Sequence, residues 1–402
     1  MVSSLAVAPM LLVGVSAAFA YPHLDAAWHG SARHRAPAPA APSLAGSTTP
    51  VTTDVPTTSY ADTVTPTLGT ATATSLAAAS APSRSTTAAT GPLTAGEVVD
   101  EPFDPATAAA GLYIDCNAGS DSAAGTAQHP WRTLQPLSRP VSGGTAIHLR
   151  RGCSWDGGLT LSADGSGGAT LGAYASGKAP VISGTGLSRG RGALQLASPK
   201  LTVTGIHVSH APGFGVNITG DHALLQRVEI DDVGIGVQVS APFATFTGGA
   251  IHDLHMYTNT PGGDDDSGAV GFDVSADDVT ISSTSCTNCR APSYDYGYDG
   301  GFVDIWKQGN RLKLLNNVAT NVQGFLEVGG QGGNDSAYDV VVTGNRVTRT
   351  YGGIWVHGDG SFSIRVGNIR VSGNTFVLAD GTPAFGGTTS ALVLGNNTTG
   401  RG

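Results

Sequence analysis

Charge is scarce in this 402-residue sequence: Lys, Arg, Asp and Glu together make 13% of it, with a net charge of −9. No basic stripe runs through it, so nothing is present to neutralise a phosphate backbone, and a nucleic-acid partner is excluded. An anionic substrate would need a metal ion or a local Lys/Arg cluster to be held here. Helix formers are scarce and no helical apolar period can be traced, which excludes a doubly wound α/β fold. Cysteine is limited to Cys116, Cys153, Cys286 and Cys289. Cys286 and Cys289 form a lone C-x-x-C with no second pair to complete a zinc site and no βαβ context for a redox motif. A local disulfide or two packed thiols are the readings left for them. Cys116 and Cys153 could pair, which would stabilise by roughly 4 kcal/mol in the chain-entropy account. What is abundant is glycine, 57 residues of it, with Thr, Ser, Val and Asn. That is an all-β composition with many turns.

The first twenty residues also lack something. Residues 5–20 are apolar and end in Ala18-Phe-Ala20, like a secretory signal with its cleavage site, yet the first Lys or Arg is Arg33. The run is short for a membrane span and contains Pro9. A secreted or cell-surface protein without a membrane span is expected. Residues 21–110 are dominated by Ala, Pro, Ser and Thr, as in APAPAAP and TTPVTTDVPTTS. Such a segment cannot bury enough apolar surface to fold and reads as a disordered linker. Order is expected from Gly111, giving a signal-like segment 1–20, a linker 21–110 and a folded domain 111–402, expected as a monomer.

Within that domain one five-residue pattern returns: Phe214-Gly-Val-Asn-Ile, Ile235-Gly-Val-Gln-Val, Val270-Gly-Phe-Asp-Val, Gly301-Phe-Val-Asp-Ile, Gly324-Phe-Leu-Glu-Val and Gly353-Ile-Trp-Val. Strand alternation turns the apolar pair inward and the central residue outward. Stacked in parallel, Asn217, Gln238, Asp273, Asp304, Glu327 and Trp355 become one outward ladder. A second column runs between these segments, from Leu201-Thr-Val-Thr-Gly-Ile-His-Val to Ile369-Arg-Val-Ser-Gly-Asn-Thr-Phe. Its alignment superposes Asn317, Asn345 and Asn374, whose amides can bond to one another. It also puts Cys286 in an inward column with Val208, Val347 and Phe376. The early repeats are 21 or 22 residues long, one coil of a solenoid. Later repeats are longer, with the surplus in loops at about 252–268, 290–300 and 329–338. The expanded coils are the ones whose central residue is acidic, and long insertions in solenoids often border the binding face.

The opening pieces Tyr113-Ile-Asp-Cys, Gly119-Ser-Asp, Pro130-Trp-Arg-Thr-Leu-Gln and Thr145-Ala-Ile-His-Leu-Arg-Arg-Gly-Cys-Ser-Trp, followed by these repeats, resemble secreted proteins of the pectate-lyase-like superfamily. The resemblance covers residues 111 to about 397 and implies an all-β, single-stranded right-handed parallel β-helix acting on carbohydrate. Asp299-Gly-Gly-Phe-Val-Asp304 and Gly324-Phe-Leu-Glu-Val-Gly-Gly330 are similar to the motifs of calcium-dependent pectate lyases of the Lys-base type. Glu327 stands where those motifs carry Lys, so their base is not transferred.

On this reading Asp273, Asp299, Asp304 and Glu327 are candidate ligands of Ca²⁺, since a row of oxygen donors without His or Cys suits a hard cation. The same row could be no more than a solvated acidic face. Lys307 and His357 are candidate bases, each also readable as an ordinary surface residue. Trp306, Trp355 and Tyr298 are candidate sugar platforms, with both tryptophans expected to be exposed. The run Asp264-Asp-Asp266 reads as a solvated loop or a second cation site. Three functions follow: cation-assisted β-elimination on an acidic, uronate-containing polysaccharide; glycoside hydrolysis by paired carboxylates of the ladder; or non-catalytic binding of glycan or cell wall.

Overall fold

The structure, a computed structural model, describes residues 110–262, 266–357, 362–380 and 390–394. The segments 1–20 and 21–109, and Asp264 and Asp265, lie outside these. Among the described residues there is no α-helix; short strands follow one another from Leu112–Ile114 to Leu392–Leu394. They stack into a single-stranded parallel β-helix with three faces. The first face is a ten-stranded parallel sheet, from Leu112–Ile114 through Thr145–Arg150 and Leu201–Thr204 to Arg370–Ser372. The second and third belong to one sixteen-stranded sheet, because His207–Ile218 and Glu229–Val239 run unbroken round the corner between them.

The second column of repeats therefore folds as two faces, where the sequence suggested one. Three rows of left-handed residues make the corners. One row is Gly205, Arg227, Gly248, Ser283, Asn316, Gly344 and Gly373, each just after a first-face strand. Another is His210, Asp232, Asp253, Asn288, Asn321 and Arg349, between second and third faces. A third, from His222 through Arg311 to Asn368, leads back to the first face. A non-glycine residue in this region carries on the order of 1 kcal/mol of strain. The strain is tolerated because the ladder continues through the corner: Arg227 N–H donates to Thr247 and Ser283 N–H to Leu315 of the next coil.

Register gives coil steps of 22, 21, 35, 33, 28 and 29 residues, through the pairs Thr202↔Leu224, Leu224↔Thr245, Thr245↔Thr280, Thr280↔Lys313, Lys313↔Val341 and Val341↔Arg370. Inside is one continuous apolar core. Rings of Phe246, Phe272, Phe302, Phe325 and Phe376 stack along its axis with centroids 4.9–5.6 Å apart. The Asn stack forms as expected: Asn317 Nδ2 donates to Asn345 Oδ1 (3.0 Å), and Asn345 Nδ2 to Asn374 Oδ1 (2.8 Å). Cys286 sits inward in register with Ile251 and Ala319, bonded to Cys289, and Cys116 is bonded to Cys153.

Two of the expanded coils are clasped together. Asp266 is buried (1% exposed) and accepts from Thr260 N–H (2.8 Å), Ser293 Oγ–H (2.8 Å) and Asp295 N–H (3.1 Å). Asn259 spans the same gap, donating to the Pro292 carbonyl at 3.0 Å. Asp266 is thus a loop clasp rather than a solvated loop residue: backbone donors from two insertions converge on it and replace water.

Candidate functional site

The third face carries the ladder. Thr160, Gln195, Asn217, Gln238, Asp273, Asp304, Glu327 and Trp355 are successive register partners. Buried residues flank each centre, such as Val216 and Ile218, Phe272 and Val274, or Val303 and Ile305, so the alternation fixes the outward direction of the row. The first two members were missed in the sequence, although Leu159-Thr-Leu161 and Leu194-Gln-Leu196 show the same alternation. One row further along each strand, Trp306 pairs with Gly329, and the His357 ring lies on that glycine's other side.

Three ladder carboxylates on consecutive coils cannot ionise independently. Full charges at the ~4.8 Å rung spacing repel by about 3 kcal/mol at an effective dielectric of ~20. Asp304 is the middle one. Burial among its neighbours pushes its pKa well above the usual carboxylate range, and the charges of Glu327, Asp273 and Asp299 push it the same way. Asp273 is raised to about 6 by burial, against the opposing effects of the Gln238 amide and the Lys307 charge. Both keep a sliver of accessible surface while surrounded by protein atoms. Glu327 is held differently: His357 Nε2–H donates to its Oε1 at 2.7 Å. Asp299 sits at the mouth of the row with Oδ1 accepting its neighbour Gly300 N–H at 2.7 Å.

Hard oxygen donors are what Ca²⁺ takes, but they must converge on one point. Among the described residues no three His, Cys, Asp or Glu side chains are gathered to hold a metal ion. Asp273, Asp299, Asp304 and Glu327 share a face and an electrostatic field without forming a ligand cage, and Glu327 is engaged by His357.

The aromatic candidates divide. Trp306 and Trp355 are half-buried, not exposed. Phe362 packs on Trp306 (5.8 Å between centroids) and on His357 (5.4 Å), and His357 stacks on Trp355 (5.8 Å, 27°). The cover of Trp306 comes from Phe362 in a distant stretch of chain, which is why alternation alone could not reveal it, while Trp355 is covered by His357 just beyond it. Phe362 was not a candidate from sequence. Tyr298 is exposed, but its ring faces the Arg290 guanidinium at 3.9 Å, which is also over Tyr351 at 4.1 Å and donates from Nε to Gln323. Lys307 follows Trp306 with a left-handed backbone (φ 74°) and acts electrostatically on Asp273. The ladder thus has three zones: neutral polar side chains at Gln195–Asn217–Gln238, acids at Asp273–Asp304–Glu327, and an aromatic zone at Trp355.

A second polar cluster, absent from the candidates, lies on the second face. His252 Nε2–H donates to Glu229 Oε1 (3.2 Å) and its Nδ1–H to Asp253 Oδ2 (2.9 Å). The Glu229 bond, opposed by burial and helped by Asp253, lifts His252 to about 9. His207 Nε2–H donates to Asp231 Oδ1 at 2.8 Å. Burial raises Asp231, but the hydrogen bond from His207 and the charges of His207 and His252 oppose it, and its pKa is left lowered. These positions carry no repeated residue type, so no alignment of coils singles them out.

No family model matches this chain, and no curated protein matches it. Among solved structures it is similar to a GH136 lacto-N-biosidase from Eubacterium ramulus, at 14% identity and TM-score 0.48 over 65% of this chain and 55% of that one. A rhamnogalacturonan lyase matches at 12% identity and TM-score 0.43, over 62% of this chain and 73% of that one. Pectate lyase Pel9A matches at 13% identity and TM-score 0.38, over 70% of this chain and 82% of that one. The chain thus spans about half the length of the lacto-N-biosidase. The likenesses concern shape and assign no chemistry. Among the described residues no helix is long and apolar enough to cross a membrane.

Proposed function

We propose that this protein cleaves glycosidic bonds with the carboxylates of the ladder, Asp304 donating the proton and Glu327 attacking. The observation that carries the reading is the position of Asp304, raised well above the usual range between Glu327 and Asp273 on neighbouring coils. Carboxylates whose surroundings treat them differently mark acid and base assignments. Asp304 stays protonated where an ordinary Asp has lost its proton, and Glu327 is oriented by His357. Adjacent coils at ~4.8 Å are near the ~5–5.5 Å separation of a retaining pair. A Glu327 oxygen bonds to the anomeric carbon as the glycosidic C–O bond breaks, and the leaving oxygen takes the Asp304 proton. Water then attacks the same carbon, gives its proton to Asp304, and releases Glu327.

The test is reducing-end release from soluble polysaccharides. Asp304→Asn and Glu327→Gln should each abolish it while leaving the fold intact; full activity in both would sink the reading. One observation favours a second reading, elimination from a uronate with Lys307 as base: Lys307 lies within electrostatic reach of Asp273. That reading requires unsaturated product that absorbs in the ultraviolet, and loss of it in Lys307→Met. Calcium enters only this second reading, where product formation would cease on chelation. The proposal includes export. The apolar run 5–20 supports it, as do the two disulfides, which form and persist in oxidising compartments.

A further inference from the structure

Three oxygens on the ladder are buried and have no hydrogen-bond partner: Asn217 Oδ1, Gln238 Oε1 and Asp273 Oδ1. They belong to three consecutive coils. Asn217 is only 5% exposed and Gln238 8%, yet strand alternation points both out of the core, toward the face that carries the acids. Gln238 also reaches along the ladder, its Nε2–H donating to the Asp273 carbonyl at 3.4 Å. Buried acceptors left unpaired in a native fold call for a partner. All three accept and so ask for a donor.

The charges nearby narrow what that donor belongs to. The acids occupy the next coils, so a carboxylate-bearing sugar would bring a like charge to them, whereas a neutral sugar brings its hydroxyl donors without that charge. Cations on or beside this face include Lys307, which offsets Asp273, and Arg189 and Arg191, both exposed, Arg189 over the Tyr257 ring (5.8 Å), which also stacks on Phe214. Arg290 is held between Tyr298 and Tyr351 and bonds Gln323; His357 is committed to Glu327. At the opposite end the zone around Trp355, Trp306 and Phe362 is aromatic. Hydroxyl groups donate to amide and carboxyl oxygens, and the flat apolar face of a sugar ring packs on an aromatic one.

We infer that the ladder binds a neutral glycan lying along the solenoid axis, its hydroxyls donating to Asn217, Gln238 and Asp273 and a further ring set against the Trp355 zone. This rests on the third face being the substrate face and names the substrate class for the proposed cleavage. Asp304 and Glu327 lie between the two binding zones, so the bond to be cut lies inside the bound chain and the protein is endo-acting.

The experiment uses the full chain with xylan, mannan, galactan and mixed-linkage glucan as neutral probes, polygalacturonate and alginate as polyuronates, and chitosan as a cationic one. Binding is read by tryptophan fluorescence and equilibrium dialysis. Saturable binding to at least one neutral polymer is expected, about ten-fold weaker in Gln238→Leu and in Asn217→Leu. Melting temperature should be unchanged or raised in both, because an unpaired buried acceptor has been removed. A merely structural amide would lower it. Binding to a polyuronate or chitosan in preference, no binding to any neutral probe, or neutral binding untouched in both Leu variants overturns the inference. Turnover of a polyuronate lost in Asp304→Asn would overturn the substrate class and leave the acid–base reading standing. Neutral binding that weakens in Gln238→Leu without turnover would do the reverse.

Discussion

The acid ladder and the His252 cluster sit on neighbouring faces of one solenoid and are built by opposite rules. On the third face Asp273, Asp304 and Glu327 put like charge on like charge, and the row keeps oxygens without partners. On the second face His207 meets Asp231, and His252 meets both Glu229 and Asp253, so carboxylates and imidazoles alternate across the coils. Both face outward from the core and both are largely shielded from water. A parallel ladder makes equivalent positions neighbours, so it amplifies whatever the sequence puts there. Amides repeated, as at Asn317, Asn345 and Asn374, bond one another. Opposite charges become a brace, and repeated acids press on the middle one, Asp304, and add to the rise that burial gives its pKa. Strain of that kind persists where it is used.

The sharpest way to break this comparison is Asp304→Asn. Turnover should fall about 10³-fold, while thermal stability rises because a repelled group is gone. Calorimetry showing a loss of stability would mean the row is not strained. His252→Ala should do the opposite, taking the imidazole away from the buried Glu229 and costing about 3 kcal/mol in urea unfolding, with activity at low temperature retained. Its pH dependence follows from the raised pKa. The brace contributes fully below the unfolded value near 6.5 and is lost as pH rises through about 9, so wild type and variant should converge above that.

Asp273→Asn should stabilise by about 2 kcal/mol at pH 7.5, after discounting for partial exposure. Its folded pKa, raised to about 6, lies above the unfolded value. The wild type therefore loses stability as pH rises from about 4 to 6, and the gain of the variant should vanish near pH 4. The smallest effect is expected at the rim of the brace. Asn288 Nδ2 donates to Asp253 Oδ1 at 2.7 Å from a left-handed position. Asn288→Gly keeps that backbone and removes the amide, for a loss of about 1 kcal/mol in denaturant unfolding.

Much of the fold was legible because a solenoid repeats locally. The ladder from Asn217 to Trp355, the Asn stack and the inward Cys286 column all follow from alternation and coil length, and the structure keeps that register. The three-faced section was not legible. The corner residues range over Gly205, Arg227, Ser283 and Asn316, and a left-handed turn leaves no common residue type when a strong backbone ladder on either side enforces it. Asp266 was read with its acidic neighbours, but its partners Thr260, Ser293 and Asp295 come from two loops. The tryptophans were expected in the open, and Phe362 covers Trp306.

The sequence by itself determined a β-solenoid, its inward and outward rows, and the order of polar, acidic and aromatic positions along one of them. Periodicity carries that information, since each coil can bury its apolar residues only against the next. Only the tertiary structure decided what each outward row experiences. Whether a carboxylate is solvated, braced by an imidazole or pressed against two others depends on which loops fold over it and which coil supplies the neighbour. Those contacts join residues about thirty apart, as His357 to Glu327, and burial and Coulomb coupling across them turned a row of ordinary acids into a candidate catalytic site.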